Sequence, residues 1–273
     1  MSDTHRLHEK IPQSTIFPVD IAIHAGDFTN VGKPEDVTSF CNWFKSLPAQ
    51  YFLAVAGNHE VSFDESLREE LSEIFKQFGY ETPPELSKDI IKQEKSIIYA
   101  EDETVEILGI KFFCSPRSPI IRGWAFGTYK EAKGEEWNKI TPEHDVVVTH
   151  SPPAGIFDYG LDFFSYGDPY LAMKLYEVKT PLHIFGHVHE GHGSYRSGAT
   201  LYVNCSILDF NYQYWLPPTY IDLILEEQKF DCGGLLDKQS LMYMAQYSDE
   251  PPSNFVKAPP SGFLQWFSKL FKK

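Results

Sequence analysis

The 273-residue chain reads as a layered α/β domain with mixed sheets. Two observations predict it: short apolar runs rich in Val, Ile and Phe that each end on a polar residue or glycine, and helical spacing between them. The runs lie at 19–24, 52–56, 111–114, 145–149 and 182–185, and further strands are expected at 200–205 and 220–225. Near-continuous apolar runs of this length suit strands buried on both faces, which deliver loops at their ends. Segment 34–47 opens with Pro34 in a first helical turn, and segment 64–78 opens with Asp64 followed by early acidic residues, so both predict helices.

Composition narrows the class. A hydrophobic content of 42% with 23% charged residues excludes general disorder. No run approaches the roughly 18 apolar residues that a membrane-spanning helix requires. The net charge of −14 argues against long nucleic acid as a partner, because binding by counterion release needs clustered Lys and Arg. A small phosphorylated substrate stays compatible, since bound cations invert the local field. Cys41, Cys114, Cys205 and Cys232 are scattered and read as reduced thiols. Residues 1–12 are polar and His-rich, unlike a secretory signal, so a cytoplasmic location is expected.

Residues 1–226 carry the strand and helix pattern, and 227–262 read as an irregular, Pro-rich linker containing Pro251, Pro252, Pro259 and Pro260. In 263–273, Phe263, Trp266, Phe267, Leu270 and Phe271 fall at i, i+3, i+4, i+7 and i+8, with Lys269, Lys272 and Lys273 on the opposite face. This cationic amphipathic helix suits weak, peripheral contact with a membrane surface, docking on its own domain, or a protein groove.

Five fragments carry chemistry: Asp3-Thr4-His5, Gly26-Asp27, Gly57-Asn58-His59-Glu60, Thr149-His150 and Gly186-His187-Val188-His189. Four of them follow predicted strands, and a parallel-type sheet gathers such loops at the carboxyl ends of its strands. Oxygen and nitrogen ligands without thiolate suit Mn²⁺, Fe or Zn²⁺ in a catalytic site better than a Cys-rich structural zinc.

These fragments, in this order, resemble the signature of the calcineurin-like metallophosphoesterases: Asp-x-His, Gly-Asp, Gly-Asn-His-Asp/Glu, His and Gly-His-x-His. The closer likeness is to the metallophosphoesterase-domain-containing (MPPED) branch, through His24-Ala25-Gly26-Asp27-Phe28-Thr29, Gly123-Trp124-Ala125-Phe126, Thr149-His150-Ser151-Pro152-Pro153 and His189-Glu190-Gly191. It covers about residues 2 to 226.

The resemblance implies a four-layer α/β/β/α sandwich and two divalent metal ions, with Mn²⁺ the first expectation and Fe or Zn²⁺ the alternatives. Asp3, His5, Asp27 and His189 would hold one ion. Asn58, His150, His187 and the shared Asp27 would hold the other. A bridging hydroxide is the implied nucleophile. His59 would stabilise the transition state or protonate the leaving alkoxide, with Glu60 orienting its ring.

His24, His192 and Arg117 are candidates for a supporting or substrate contact; Arg122 is a weaker one. His183 reads as a core residue, and His8 and His144 as surface residues. The family places a whole strand before Asp-x-His, whereas Asp3 is the third residue here. The first strand is therefore expected to be truncated, leaving Asp3 and His5 on a mobile end where ordering entropy opposes coordination. The function expected is hydrolysis of small phosphodiesters such as cyclic nucleotides. The alternative is a phosphate- or nucleotide-binding or scaffolding module with little turnover, on the same fold and at a membrane surface.

Overall fold

The computed structural model describes residues 1–67, 87–119, 124–128, 133–224 and 229–232. Strands β1 (Val19–Ala25), β2 (Ala49–Val55) and β3 (Ile97–Tyr99) form one parallel sheet. The second sheet is built on β4 (Glu103–Ile107), β5 (Ile110–Ser115), β8 (Val146–Thr149), β9 (Leu182–Phe185), β10 (Gly193–Ser197) and β11 (Thr200–Asn204), in the order β10-β11-β9-β8-β5-β4. Its four inner strands are parallel, and β4 and β10 close the edges antiparallel. Two-residue strands β6 (Ser118–Pro119) and β7 (Gly127–Thr128) pair with each other. The last pair is β12 (Ile221–Ile224) with β13 (Lys229–Cys232). Strand β13 falls within the segment 227–262 that reads as linker in the sequence, because four residues are too few to show a period.

Side-chain parity sorts the layers. Ile21, Ile23, Leu53 and Val55 face Phe112, Cys114, Val146, Val148, Ile184 and Val203 between the two sheets. Their neighbours Ala22, Phe52 and Ala54 point outward, against helices α1 (Pro34–Phe44) and α2 (Lys88–Gln93) through Val37, Phe40, Phe44 and Ile91. On the far side Phe113, Val147, Phe185 and Tyr202 meet Leu171, Leu175 and Val178 of helix α3 (Pro169–Val178). The period of two thus places a helical layer outside each sheet, giving an α/β/β/α sandwich.

Helix α1 starts at Pro34 as expected and stops at Phe44, short of Leu47, because Leu47 precedes Pro48 and the residue before a proline leaves the α region. Helix α3 was not anticipated. Asp168 caps it, its carboxylate accepting from Tyr170 N and Leu171 N at 2.8 and 2.9 Å. Of segment 64–78, Glu65–Leu67 form a 3-10 turn and 68–78 lie outside the described residues, as do Arg122 and the tail 263–273. Among the described residues, no helix is long and apolar enough to cross a membrane.

The chain start corrects an expectation. Met1 and Ser2 lie parallel to the end of β1, with the Met1 amine donating to Ile23 O and Ala25 N donating to Met1 O. Ser2 N donates to Cys205 O and Ile207 N to Ser2 O on the other side, and Asp3 N reaches Gly26 O. Asp3 is therefore wholly buried rather than mobile. His8 and His144 are also buried, not on the surface: His8 packs on Trp43, and His144 takes hydrogen bonds from Thr141 N and to Thr104 Oγ1.

Cys41, Cys114 and Cys205 are buried free thiols, and burial pushes Cys41 up to about 12 and raises the other two. Because the thiolate is the reacting form, all three are expected to resist iodoacetamide at pH 8 in the native chain and to label after denaturation. Peptide mapping that finds any of them alkylated within minutes in the native chain would contradict this burial.

Candidate metal centre

The five fragments converge at the carboxyl ends of β1, β2, β8 and β9. Among the described residues, three groups of donors each lie within 4.8 Å of one another: Asp3, His5 and His189; His5, Asp27 and His59; Asp27, His150 and His187. Asp27 Oδ2 is 3.2 Å from His150 Nε2 and 3.7 Å from His5 Nε2. Asp3 Oδ1 is 3.7 Å from His189 Nε2. Asn58 Oδ1 is 3.0 Å from His150 Nε2, and His187 Nδ1 is 3.3 Å from that same nitrogen.

Backbone carbonyls aim the rings. His150 Nδ1 meets Ala25 O, His189 Nδ1 meets Asp209 O and His59 Nδ1 meets Asn30 O, at 3.0, 2.9 and 2.9 Å. A carbonyl only accepts, so each Nδ1 carries a proton and each Nε2 is turned towards the crevice. Both nitrogens of the buried His5 ring lack a hydrogen-bond partner. A buried imidazole left unsatisfied among carboxylates fits a cation site.

Strain and close packing mark the same loops. Asp3, His5, Asp27 and His187 all adopt positive φ, between 39° and 69°. A Cβ at Gly57 would collide with Asp27 Oδ1, and one at Gly186 would collide with Ser2 Oγ and Asp3 Oδ2. The glycines before Asn58 and His187 are therefore required by space.

Glu60 corrects an expectation. Its Oε2 accepts from Asp27 N and Gly57 N at 3.0 and 2.7 Å, and its Oε1 from Thr29 N and Oγ1 at 2.8 and 2.9 Å. Glu60 thus positions two loops, and the Asn30 carbonyl, not Glu60, orients His59. Burial and the Asp27 charge raise the pKa of Glu60, and the four donors on its oxygens oppose that rise and hold it as a carboxylate.

Arg117 does not reach the crevice either: its guanidinium pairs with Asp102 at 2.8 and 2.9 Å. His24 supports from behind, bonding Thr4 Oγ1 between Asp3 and His5, among Phe28, Phe40 and Phe44. His192 bonds Ser206 O, and Ser206 Oγ donates to Asp3. His183 is a core residue bonded to Thr149. Sequence reasoning missed Ser206, Asn30, Thr29 and Tyr212, whose ring lies 4.7 Å from that of His5. Of these only Thr29 lay inside a quoted motif.

Burial opposes a charge on His150, but Asp27, Asp3 and the Ala25 carbonyl raise its pKa to about 9. In the metal-free chain this proton contributes stability that is fully present below the ordinary value of 6.5 and is lost as pH rises through about 9. A cation bound at His150 Nε2 would displace it. Metal uptake at pH 7 is therefore expected to release about one proton from His150 and to tighten about tenfold per pH unit towards 9. Titration calorimetry in buffers of different ionisation enthalpy measures the release; a pH-independent affinity would refute it.

A layered α/β sandwich with buried histidines and carboxylates gathered at its strand ends defines a candidate metal-binding protein. Residues 1–191 match the family model of the calcineurin-like phosphoesterases, and the chain belongs to that family of metal-dependent phosphoester hydrolases. Human metallophosphoesterase domain-containing protein 1 is 37% identical over 232 residues, covering 82% of this chain and 69% of that protein. A UPF0046 protein of Caenorhabditis elegans is 35% identical over 209 residues, covering 76% and 68%. Among solved structures, the phosphopantetheinyl hydrolase PptH from Mycobacterium tuberculosis overlays with a TM-score of 0.46 at 13% identity, covering 76% of this chain and 87% of that one.

Proposed function

We propose that the chain is a dinuclear metal-dependent phosphodiesterase acting on small phosphodiesters, with cyclic nucleotides as the first candidates and Mn²⁺ as the first metal to try. The observation that carries this reading is the placement of Asp27, whose Oδ2 lies 3.2 Å from His150 Nε2 and 3.7 Å from His5 Nε2. Asp3, His5, Asp27 and His189 would hold one ion, and Asn58, His150, His187 and Asp27 the other. Such ions lower the pKa of water and polarise phosphoryl oxygens.

The remaining residues supply geometry and proton transfer. His59, its Nδ1–H held by Asn30 and its ring 3.9 Å from that of Trp124, presents Nε2 to the crevice for exchange of a proton with the leaving oxygen. Trp124 and Tyr212 line the crevice. Apart from the donors, the charged side chains lining it are Asp162 and Glu190, with no Lys or Arg among the described residues. That lining supports a diester, which carries one negative charge, over a monoester, which carries about 1.5 to 2 near neutral pH.

The binding-module alternative rested on the missing first strand, which was expected to leave Asp3 mobile, and the burial of Asp3 speaks against that consequence. The test is hydrolysis by the purified chain, with Mn²⁺, of bis-p-nitrophenyl phosphate and cyclic AMP against p-nitrophenyl phosphate. Faster diester turnover that chelation abolishes is the expected result. Metal-independent turnover, or turnover of the monoester alone, would sink the reading.

A further inference from the structure

Next to the crevice, residues 158–166 form a tight hairpin. Tyr159 bridges Ser165, Gly160 N donates to Phe164 O, Phe163 N to Gly160 O, and Tyr166 N to Asp158 O. Asp158, buried beneath the tip, accepts from Ser165 Oγ. This fixed backbone turns apolar side chains outward: Leu161, Phe163 and Phe164 are 45%, 66% and 46% exposed. Phe163 has a φ of 62°, a left-handed conformation that a bulky residue adopts only when its surroundings impose it. Leu161 lines the mouth of the crevice, as does Phe210, which is 46% exposed. Clustered exposed apolar side chains of this kind mark an interaction surface.

The position and charge of this rim select its occupant. A protein seated on it would close the mouth, whereas a lipid bilayer covers the rim and presents its own phosphodiesters at that level. Asp162 and Glu190 line the same mouth without Lys or Arg among the described residues. They oppose an anionic surface and match one that displays ammonium groups. We propose that the rim seats the crevice on a zwitterionic phospholipid surface, where lipid phosphodiesters with cationic headgroups reach the donor cluster without leaving the bilayer. The reaction is hydrolysis: water adds to phosphorus, one P–O ester bond breaks, and the departing oxygen takes up a proton, leaving a phosphomonoester and an alcohol. The substrate class rests on the phosphodiesterase reading; the docking does not.

The experiment is flotation of the full chain with phosphatidylcholine vesicles, comparing it with the double variant Phe163→Glu, Phe164→Glu, and assay of soluble bis-p-nitrophenyl phosphate in parallel. The wild-type chain is expected to float, and the variant to lose at least about tenfold in bound fraction, with soluble turnover within about twofold because neither residue lines the crevice. Phosphatidylcholine hydrolysis should fall with binding. Docking is overturned if the wild-type chain stays unbound or the variant floats equally. It is also overturned if binding needs anionic lipid and ignores the variant, which assigns it to the lysine-bearing 263–273, or if the rim proves to hold a dimer that the substitutions split. Phe163-dependent binding without hydrolysis of either diester upholds the docking and removes the substrate class.

Discussion

Replacing Asp27 with alanine is expected to reduce bound metal from about two equivalents to one or none and to lower turnover by about 10³-fold or more. Its Oδ2 lies within 3.9 Å of the nearest ring nitrogens of His5, His59 and His150, so one truncation removes a donor from both sets. Its Oδ1 accepts from His59 N at 2.9 Å, so the loop after β2 also loses an anchor. Because Asp27 has a φ of 56°, alanine adds backbone strain of about 1 kcal/mol. Asp27→Asn, which retains tolerance of that conformation, separates the two causes. Elemental analysis and initial rates on both variants measure the effect. Two equivalents of metal in both would remove Asp27 from its shared role.

His59→Ala should behave differently, with metal content unchanged and turnover lowered by about 10²- to 10⁴-fold. The ring lies against Trp124 and His5, and its Nε2 is the farthest of the three from Asp27 Oδ2, at 3.9 Å. A role in proton transfer predicts that the loss appears in kcat rather than KM and shrinks for substrates whose leaving group needs no proton. Loss of metal on His59→Ala would instead make it a ligand.

What could be read from the chain and what could not follow from where each signal resides. Inner strands such as Val146–Thr149 and Leu182–Phe185 are buried on both faces, so composition alone announces them. The edge strands Glu103–Ile107 and Gly193–Ser197 are half exposed and carry Glu, Ser and Arg, which read as loop. The donors were legible because their residue types follow strands in a recognisable order. Their orientation was not, since Asn30, Ala25 and Asp209 act through backbone carbonyls that any residue offers. Arg117 and Glu60 were misjudged for a related reason: proximity in sequence does not reveal that Asp102 and the amides of Asp27, Thr29 and Gly57 claim them first. The absence of a strand before Asp3 suggested a mobile end, and the bonds from Ser206 Oγ and His187 N that hold its carboxylate span more than 180 positions, beyond the reach of any local pattern.

Glu60 ties the loop after β1 to the loop after β2 through four donors on one carboxylate. Peeling back either loop would strand that carboxylate inside the protein, at about 1 to 3 kcal/mol for each unmade bond. The two halves of the crevice therefore open to solvent as one cooperative unit.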